Sequence, residues 1–280
     1  MNPARTFSLL AAGTLVGALA ITQSMAQDAP QPSDTQETAP TQEAAPATPA
    51  HESEGTEKQA KMPLLDLRRI TPLQGDASAG KAKAEVCSAC HGAEGISIVP
   101  IFPNLAGQRA EYMYWQLVEY KRGYLPQSTM TPLVADLSDE DMRDIALYFA
   151  SLPPNPPLPA DRPVDESAVP PDAATIARGA SLYLEGDPVK GIPACQGCHG
   201  KDALGFRNAS VPNRNGHVPY ALFPKLRGQQ REYLQIRLTQ YQKGEITDST
   251  PDMVMDGVGH RLDADTVADL SAYLSSLYGQ

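Results

Sequence analysis

The chain has 280 residues, 23 basic and 33 acidic side chains and a formal net charge of −10. An acidic excess of this size argues against nucleic acid and anionic membrane surfaces as partners and favours docking onto basic patches of other proteins. After the N-terminal stretch, no run is apolar for long enough to cross a membrane.

Residues 1–26 read as a signal peptide. Arg5 supplies the positive start, Phe7 to Ile21 is an apolar run, and Ser24-Met25-Ala26 offers small residues for cleavage. Cleavage after Ala26 leaves 22 basic against 33 acidic residues, a formal charge of −11. Residues 27–74 are expected to form a disordered tether, because Ala, Pro, Thr, Gln and Glu dominate and bury too little surface to offset chain entropy. Its His51 is then solvated. Within that span Met62 to Leu73 is more apolar and is expected to lie against the first domain.

A first domain is expected at 75–152. Asp76 to Cys90 is rich in Ala and Lys and reads as helix. It runs into Cys87-Ser-Ala-Cys90-His91, the spacing that covalent attachment of a c-type haem requires. Each thiol adds to one porphyrin vinyl group, and the adjacent histidine reaches the iron as proximal ligand. Gln108 to Arg122 carries large apolar residues on one side and stops at Gly123. Ser138 reads as an N-cap with Asp141 three residues on, and Met142, Ile145, Phe149 and Leu152 follow at helical spacing.

Residues 153–171 hold eight prolines and read as a semi-rigid linker. The second domain, 172–280, carries Cys195-Gln-Gly-Cys198-His199, and the two motifs use all four cysteines of the chain. Two disulfides or one four-thiolate zinc site would use the same cysteines, yet neither needs a histidine directly after the second one. Two covalent haems are therefore expected. The halves are an internal repeat. Phe102-Pro-Asn-Leu-Ala-Gly-Gln108 returns at an offset of 121 as Phe223-Pro-Lys-Leu-Arg-Gly-Gln229, and Leu137, Tyr148 and Leu152 return at 125 as Leu262, Tyr273 and Leu277. Asp263 caps the last helix, with Val267, Leu270, Leu274 and Leu277 as its stripe. The fold class is all-α: two tandem domains related by duplication, each wrapped around a covalent haem that supplies the core so small a domain lacks.

The second axial position of each iron decides between a carrier and a reactive site. Methionine raises the potential and closes the iron. Met113 and Met142 fall within expected helices, where methionine usually fills core. Met130 lies in a Thr/Pro-rich loop seven residues before Leu137, and counting back seven from Leu262 selects Met255 over Met253. The metal set is therefore His91, Met130, His199 and Met255. His217, in the extra loop Arg207–Tyr220, and His260 are the competitors. Pro100 and Pro193 could pack near the haems.

These residues resemble the dihaem cytochrome c4 family. The likeness rests on Cys87-Ser-Ala-Cys-His-Gly, the Phe-Pro-Asn-Leu-Ala-Gly-Gln segment, the Met130 stretch and Leu-Ser-Asp-Glu-Asp at 137–141. In the second half it rests on Ile192 to Gly200, Phe-Pro-Lys-Leu at 223–226 and Met253-Val-Met-Asp-Gly257, so it covers about residues 75–280. It implies electron transfer in the periplasm, two His/Met haems, and two packed lobes with haem edges near each other. The chain departs from the pattern in its N-terminal tether, its Pro-rich linker and its enlarged 207–220 loop. Expected partners are redox proteins: a quinol-oxidising complex or dehydrogenase as donor, and a terminal oxidase or reductase as acceptor. An electron-entry subunit of a membrane dehydrogenase, peripherally attached through the tether, is the second reading. A dihaem peroxidase or thiosulfate-oxidising enzyme is the third.

Overall fold

The computed structural model describes residues 63–154 and 170–279. The expected signal peptide, the tether up to residue 62, His51 and most of the Pro-rich linker lie outside the described residues. The described residues form two helical lobes within one compact unit. Among them there is no named strand, only the isolated bridges Leu65 to Ser249 and Asp187 to Ile192.

In the first lobe α1 spans Ala77–Lys83, α2 Ser88–His91, α3 Ala110–Arg122, α4 Met130–Val134 and α5 Asp139–Ser151. The second lobe has α6 at Ala173–Glu185, α7 at Gln196–His199, a 3₁₀ turn at Pro219–Leu222, α8 at Arg231–Gln242, α9 at Thr250–Gly259 and α10 at Ala264–Ser276. The Ala/Lys-rich run expected as one helix is two. It breaks between Lys83 and Ser88, so the haem motif sits on its own short turn, and Asp76 caps the first piece by accepting from the Ser78 N–H at 2.8 Å. Gly123 ends α3 in the left-handed region at φ 76°, a conformation open to glycine without a Cβ penalty. Ser138 and Asp141 form the expected capping box on α5, and Asp263 with Thr266 forms its counterpart on α10.

Each lobe is closed by its first and last long helices, α1 against α5 and α6 against α10. Glycine allows this approach. A Cβ on Gly80 would collide with the Asp144 carbonyl, and one on Gly179 would collide with the Asp269 carbonyl. A buried acid locks each crossing. Asp144 accepts from Lys83 Nζ at 2.7 Å and from the Asp76 N–H at 2.7 Å, and these two bonds, Lys83 first, hold its carboxyl below the usual carboxylate range. Asp269 accepts both arms of Arg178 at 2.8 Å, the bidentate geometry available to a guanidinium.

The apolar stripes read from the sequence build two cores. Met113, Val118, Met142, Ile145 and Phe149 pack in the first lobe; Leu262, Val267, Leu270, Leu274 and Leu277 pack in the second with Tyr183. A third cluster corrects the expected tether. Residues 63–74 are not disordered: Leu67 and Ile70 are buried with Val218, Ala221 and Leu222 of the second lobe, against Trp115 of the first. The Leu65 N–H donates to Asp248 O at 2.8 Å, its carbonyl accepts from the Thr250 N–H at 3.0 Å, and Val218 N–H donates to Ile70 O at 2.9 Å. On the first lobe, Tyr124 Oη donates to Pro63 O at 3.0 Å and the Leu73 N–H donates to Glu111 Oε1 at 3.4 Å. The segment is therefore a strap across both lobes, not a cover on the first alone. Three apolar side chains in six residues, Leu65, Leu67 and Ile70, give it the apolar surface to bury.

Replacing Gly80 or Gly179 with Ala is expected to force α1 from α5, or α6 from α10. The loss is about 1–3 kcal/mol of stability, read as a lower denaturant midpoint in equilibrium unfolding.

Candidate functional site

Both haem motifs open on one continuous cavity of about 410 Å³, lined from the two lobes together. All four cysteines line it. His91 and His199 line it as well, each buried at the C-terminal end of a four-residue helical turn, α2 or α7. The turn brings the second cysteine and the histidine to the same wall as the first cysteine.

The two histidines are held alike. His91 Nδ1 donates to Pro103 O at 2.9 Å, and His199 Nδ1 donates to Pro224 O at 3.0 Å. With Nδ1 engaged, Nε2 is the ring nitrogen left free to meet a metal, which is how an outer partner fixes the tautomer of a ligating histidine. Burial lowers the affinity of both rings for a proton, against the pull of the proline carbonyls, so each imidazole is neutral and its lone pair available. Phe102 and Phe223 lie tilted beside the rings at centroid distances of 6.1 and 6.4 Å. The proline carbonyls were missed in the sequence, although the repeated Phe-Pro segment carried the signal.

Met130 and Met255 line the same cavity. Met130 does not lie in a loop: it opens α4, and Met255 sits inside α9. Met253 faces away and is 54% exposed. Met142 is core, and Met113, also core, reaches the cavity wall from α3. The two competing histidines are elsewhere. His217 is tied into a turn, its N–H donating to Asn213 Oδ1 at 3.1 Å, and His260 is the C-cap of α9, with Nδ1 2.9 Å from Asp256 O. Pro193 lines the cavity, whereas the Pro100 carbonyl accepts from the Tyr233 N–H at 3.2 Å across the lobes.

Where the lobes meet, the cavity wall is polar. Glu119 of α3 is buried and accepts from Gln116 Nε2 at 2.7 Å, facing Asp252 of α9. Asp252 accepts from Tyr241 Oη at 3.0 Å and from Ser249 Oγ. Arg237 Nη2 donates to Gln116 Oε1 at 2.9 Å across the seam. Burial first, and the Asp252 charge second, push Glu119 up to about 8.

The donor set fits the group that the motifs imply: two pairs of thiols, two pre-oriented imidazoles, two thioethers and an apolar wall. Two lobes of this topology, each with a Cys-x-x-Cys-His turn on a shared cavity, define a two-haem c-type cytochrome. The cytochrome c family matches residues 77–153 and 176–278. The chain is 35% identical to cytochrome c4 of Pseudomonas aeruginosa over 214 residues, 76% of this chain and 94% of that protein. The crystal structure of reduced recombinant cytochrome c4 from Pseudomonas stutzeri aligns with a TM-score of 0.58 at 35% identity, covering 73% of this chain and 100% of that one. The thiosulfate dehydrogenase electron acceptor of Stutzerimonas stutzeri is 29% identical over 195 residues, 69% of this chain and 80% of that protein. The chain belongs to the cytochrome c4 family, and it is a dihaem electron-transfer cytochrome with covalent haem c. The haem bound at each motif supplies a one-electron ferric–ferrous couple.

Glu119 makes stability depend on pH. Its carboxyl holds a proton in the folded chain at pH values where the unfolded chain, with an ordinary value near about 4.3, has lost it. Stability should therefore fall as pH rises from about 4.3 towards 8 and level off above. Denaturant midpoints measured across that range should show the slope in the native protein and a shallower one in Glu119→Gln.

Proposed function

We propose that the protein is a periplasmic electron carrier, not an enzyme, in which His91 and Met130 ligate one haem iron and His199 and Met255 the other. One observation carries this: Met130 and Met255, seven residues before the matching Leu137 and Leu262, both line the cavity on which the two Cys-x-x-Cys-His turns open, while Met253, His217 and His260 lie off it and Met113 packs in the core of the first lobe. A thioether on each iron leaves no position for substrate, so the protein's part is to bind, shield and tune the cofactors. Periplasmic placement is supported by the expected signal peptide and by covalent haem.

Single electrons pass between redox proteins: a quinol-oxidising complex or dehydrogenase as donor, a terminal oxidase or reductase as acceptor. Similarity to a thiosulfate dehydrogenase electron acceptor supports a dehydrogenase as one such donor. Partners meet the acidic surface through basic patches of their own.

Two measurements test this. Met130→Ala and Met255→Ala should each abolish the methionine-to-iron absorption of one ferric haem and lower its potential, and Met253→Ala should do neither. A ligand-like effect of Met253→Ala with a silent Met255→Ala would reverse the assignment. In stopped-flow exchange with a basic redox protein, the rate at low salt should exceed that at physiological salt by on the order of tenfold or more.

A further inference from the structure

The seam between the lobes is built on the same backbone that holds the proximal histidines. Gln229, just ahead of the N-cap of the second lobe's α8, reaches into the first lobe. Its Oε1 accepts from the Asn104 N–H at 2.7 Å and its Nε2 donates to Asn104 O at 3.0 Å. Gln108 of the first lobe does the same to Lys225: Oε1 accepts from the N–H at 2.9 Å and Nε2 donates to the carbonyl at 2.9 Å. Gln108 and Gln229 are 7% exposed each, so neither amide has water as an alternative partner. The exchange is reciprocal, residue for residue, at the repeat offset of 121.

The Asn104 N–H belongs to the peptide group whose carbonyl, that of Pro103, accepts from His91 Nδ1. The Lys225 N–H likewise belongs to the peptide group whose carbonyl, that of Pro224, accepts from His199 Nδ1. One planar amide thus stands between each histidine and a glutamine of the opposite lobe. Hydrogen bonds in such a chain polarise one another: accepting from the N–H makes the carbonyl a stronger acceptor, most effectively where water is excluded. A stronger acceptor at Nδ1 makes the imidazole a more basic ligand and favours the ferric state.

We infer that Gln108 and Gln229 are crossed positioning residues, each tuning the potential of the haem held in the other lobe. The inference rests on His91 and His199 being the proximal ligands. Gln229 acts on the haem of the first lobe through the Pro103–Asn104 peptide. Gln108 acts on the haem of the second lobe through the Pro224–Lys225 peptide. Duplication alone does not require this. A seam could be made from any exposed groups, yet this one engages the amide next to each ligand's acceptor.

The test is a spectroelectrochemical titration of the full haem-loaded chain, with the two potentials assigned to lobes by paramagnetic NMR. Gln229→Met keeps the side-chain length and removes the amide acceptor. It should raise the potential of the first-lobe haem alone, by up to about tenfold in its one-electron equilibrium, or about 59 mV. Gln108→Met should raise that of the second-lobe haem alone. Gln230→Ala is the control for a looser seam: it removes bonds from Gln230 Nε2 to Ser97 O at 2.7 Å and to Asn104 Oδ1 at 3.3 Å but leaves both peptide groups engaged. Should the methionine variants fail to load haem, Gln229→Glu keeps an acceptor with added charge and should lower the first-lobe potential selectively. Potentials unchanged in the glutamine variants, shifted equally in both lobes, or shifted alike by Gln230→Ala would overturn the inference while ligation stands. A native spectrum in His91→Ala would instead remove the ligand assignment beneath it.

Discussion

Two seven-residue segments, Phe102 to Gln108 and Phe223 to Gln229, bear most of the structure's constraints at once. Each presents a phenylalanine and a proline carbonyl to a buried histidine, then the backbone of the next residue to the opposite lobe, and ends in the glutamine that reaches back. Gly107 and Gly228 turn the chain between these tasks at φ 68° and 67°, where the Gly107 N–H donates to Phe149 O and the Gly228 N–H to Leu274 O, both at 2.9 Å. The ligand cradle, the lobe interface and the anchor to the closing helix are therefore one covalent unit. Moving the lobes apart would disturb the cradles.

That coupling explains why the seam is polar. An apolar interface would tolerate sliding, because dispersion and burial are not directional. Paired amides on buried backbone are directional, and leaving one unpartnered costs about 1–3 kcal/mol. Arg109 extends the same logic, donating to Phe223 O at 3.0 Å and to the Leu204 and Phe206 carbonyls at 3.1 and 2.8 Å. The apolar contribution comes instead from the periphery, where the strap 63–74 and the enlarged loop bury Leu67, Ile70 and Val218 together. Ser210 of that loop also donates to Glu111 Oε2 of the first lobe at 3.1 Å. The strap and the enlarged loop thus bridge the two lobes, and Tyr220 at the end of the loop also packs edge-on to Phe223 of the second cradle.

Local and periodic features were legible in the sequence. The haem motifs, the repeat, the Ser138 capping box, the Asp263 cap and the core stripes all follow from spacing, and each spacing is a property of one helix or one turn. What was not legible depends on pairs far apart in the chain. The Gly80 crossing needs Asp144, the His91 acceptor needs Pro103, and the strap needs Val218 and Asp248. The apolar character of Met62 to Leu73 is legible and its contact with the first lobe follows, but its reach to the second lobe depends on Val218 and Asp248, far away in the chain. Met130 was read as loop because Thr and Pro surround it, yet Pro132 is the third residue of α4. There its missing N–H falls among those of the first turn, which have no intrahelical partner in any case.

The acidic pair at the seam gives the shared cavity a further consequence. Glu119 and Asp252 are buried on facing helices of different lobes, and Arg237 is the cation beside them, lining the cavity with both. Burial raises both carboxyls, so the folded chain favours a proton on at least one of them. In a medium of low effective dielectric, a charge that changes on either lobe is felt by groups on the other more strongly than it would be through water. Two separate small cytochromes would screen each other with solvent. Here the wall common to both motifs is protein, and its charges are shared. Fusion of the lobes therefore makes a charge on the wall of one lobe part of the electrostatic environment of the other.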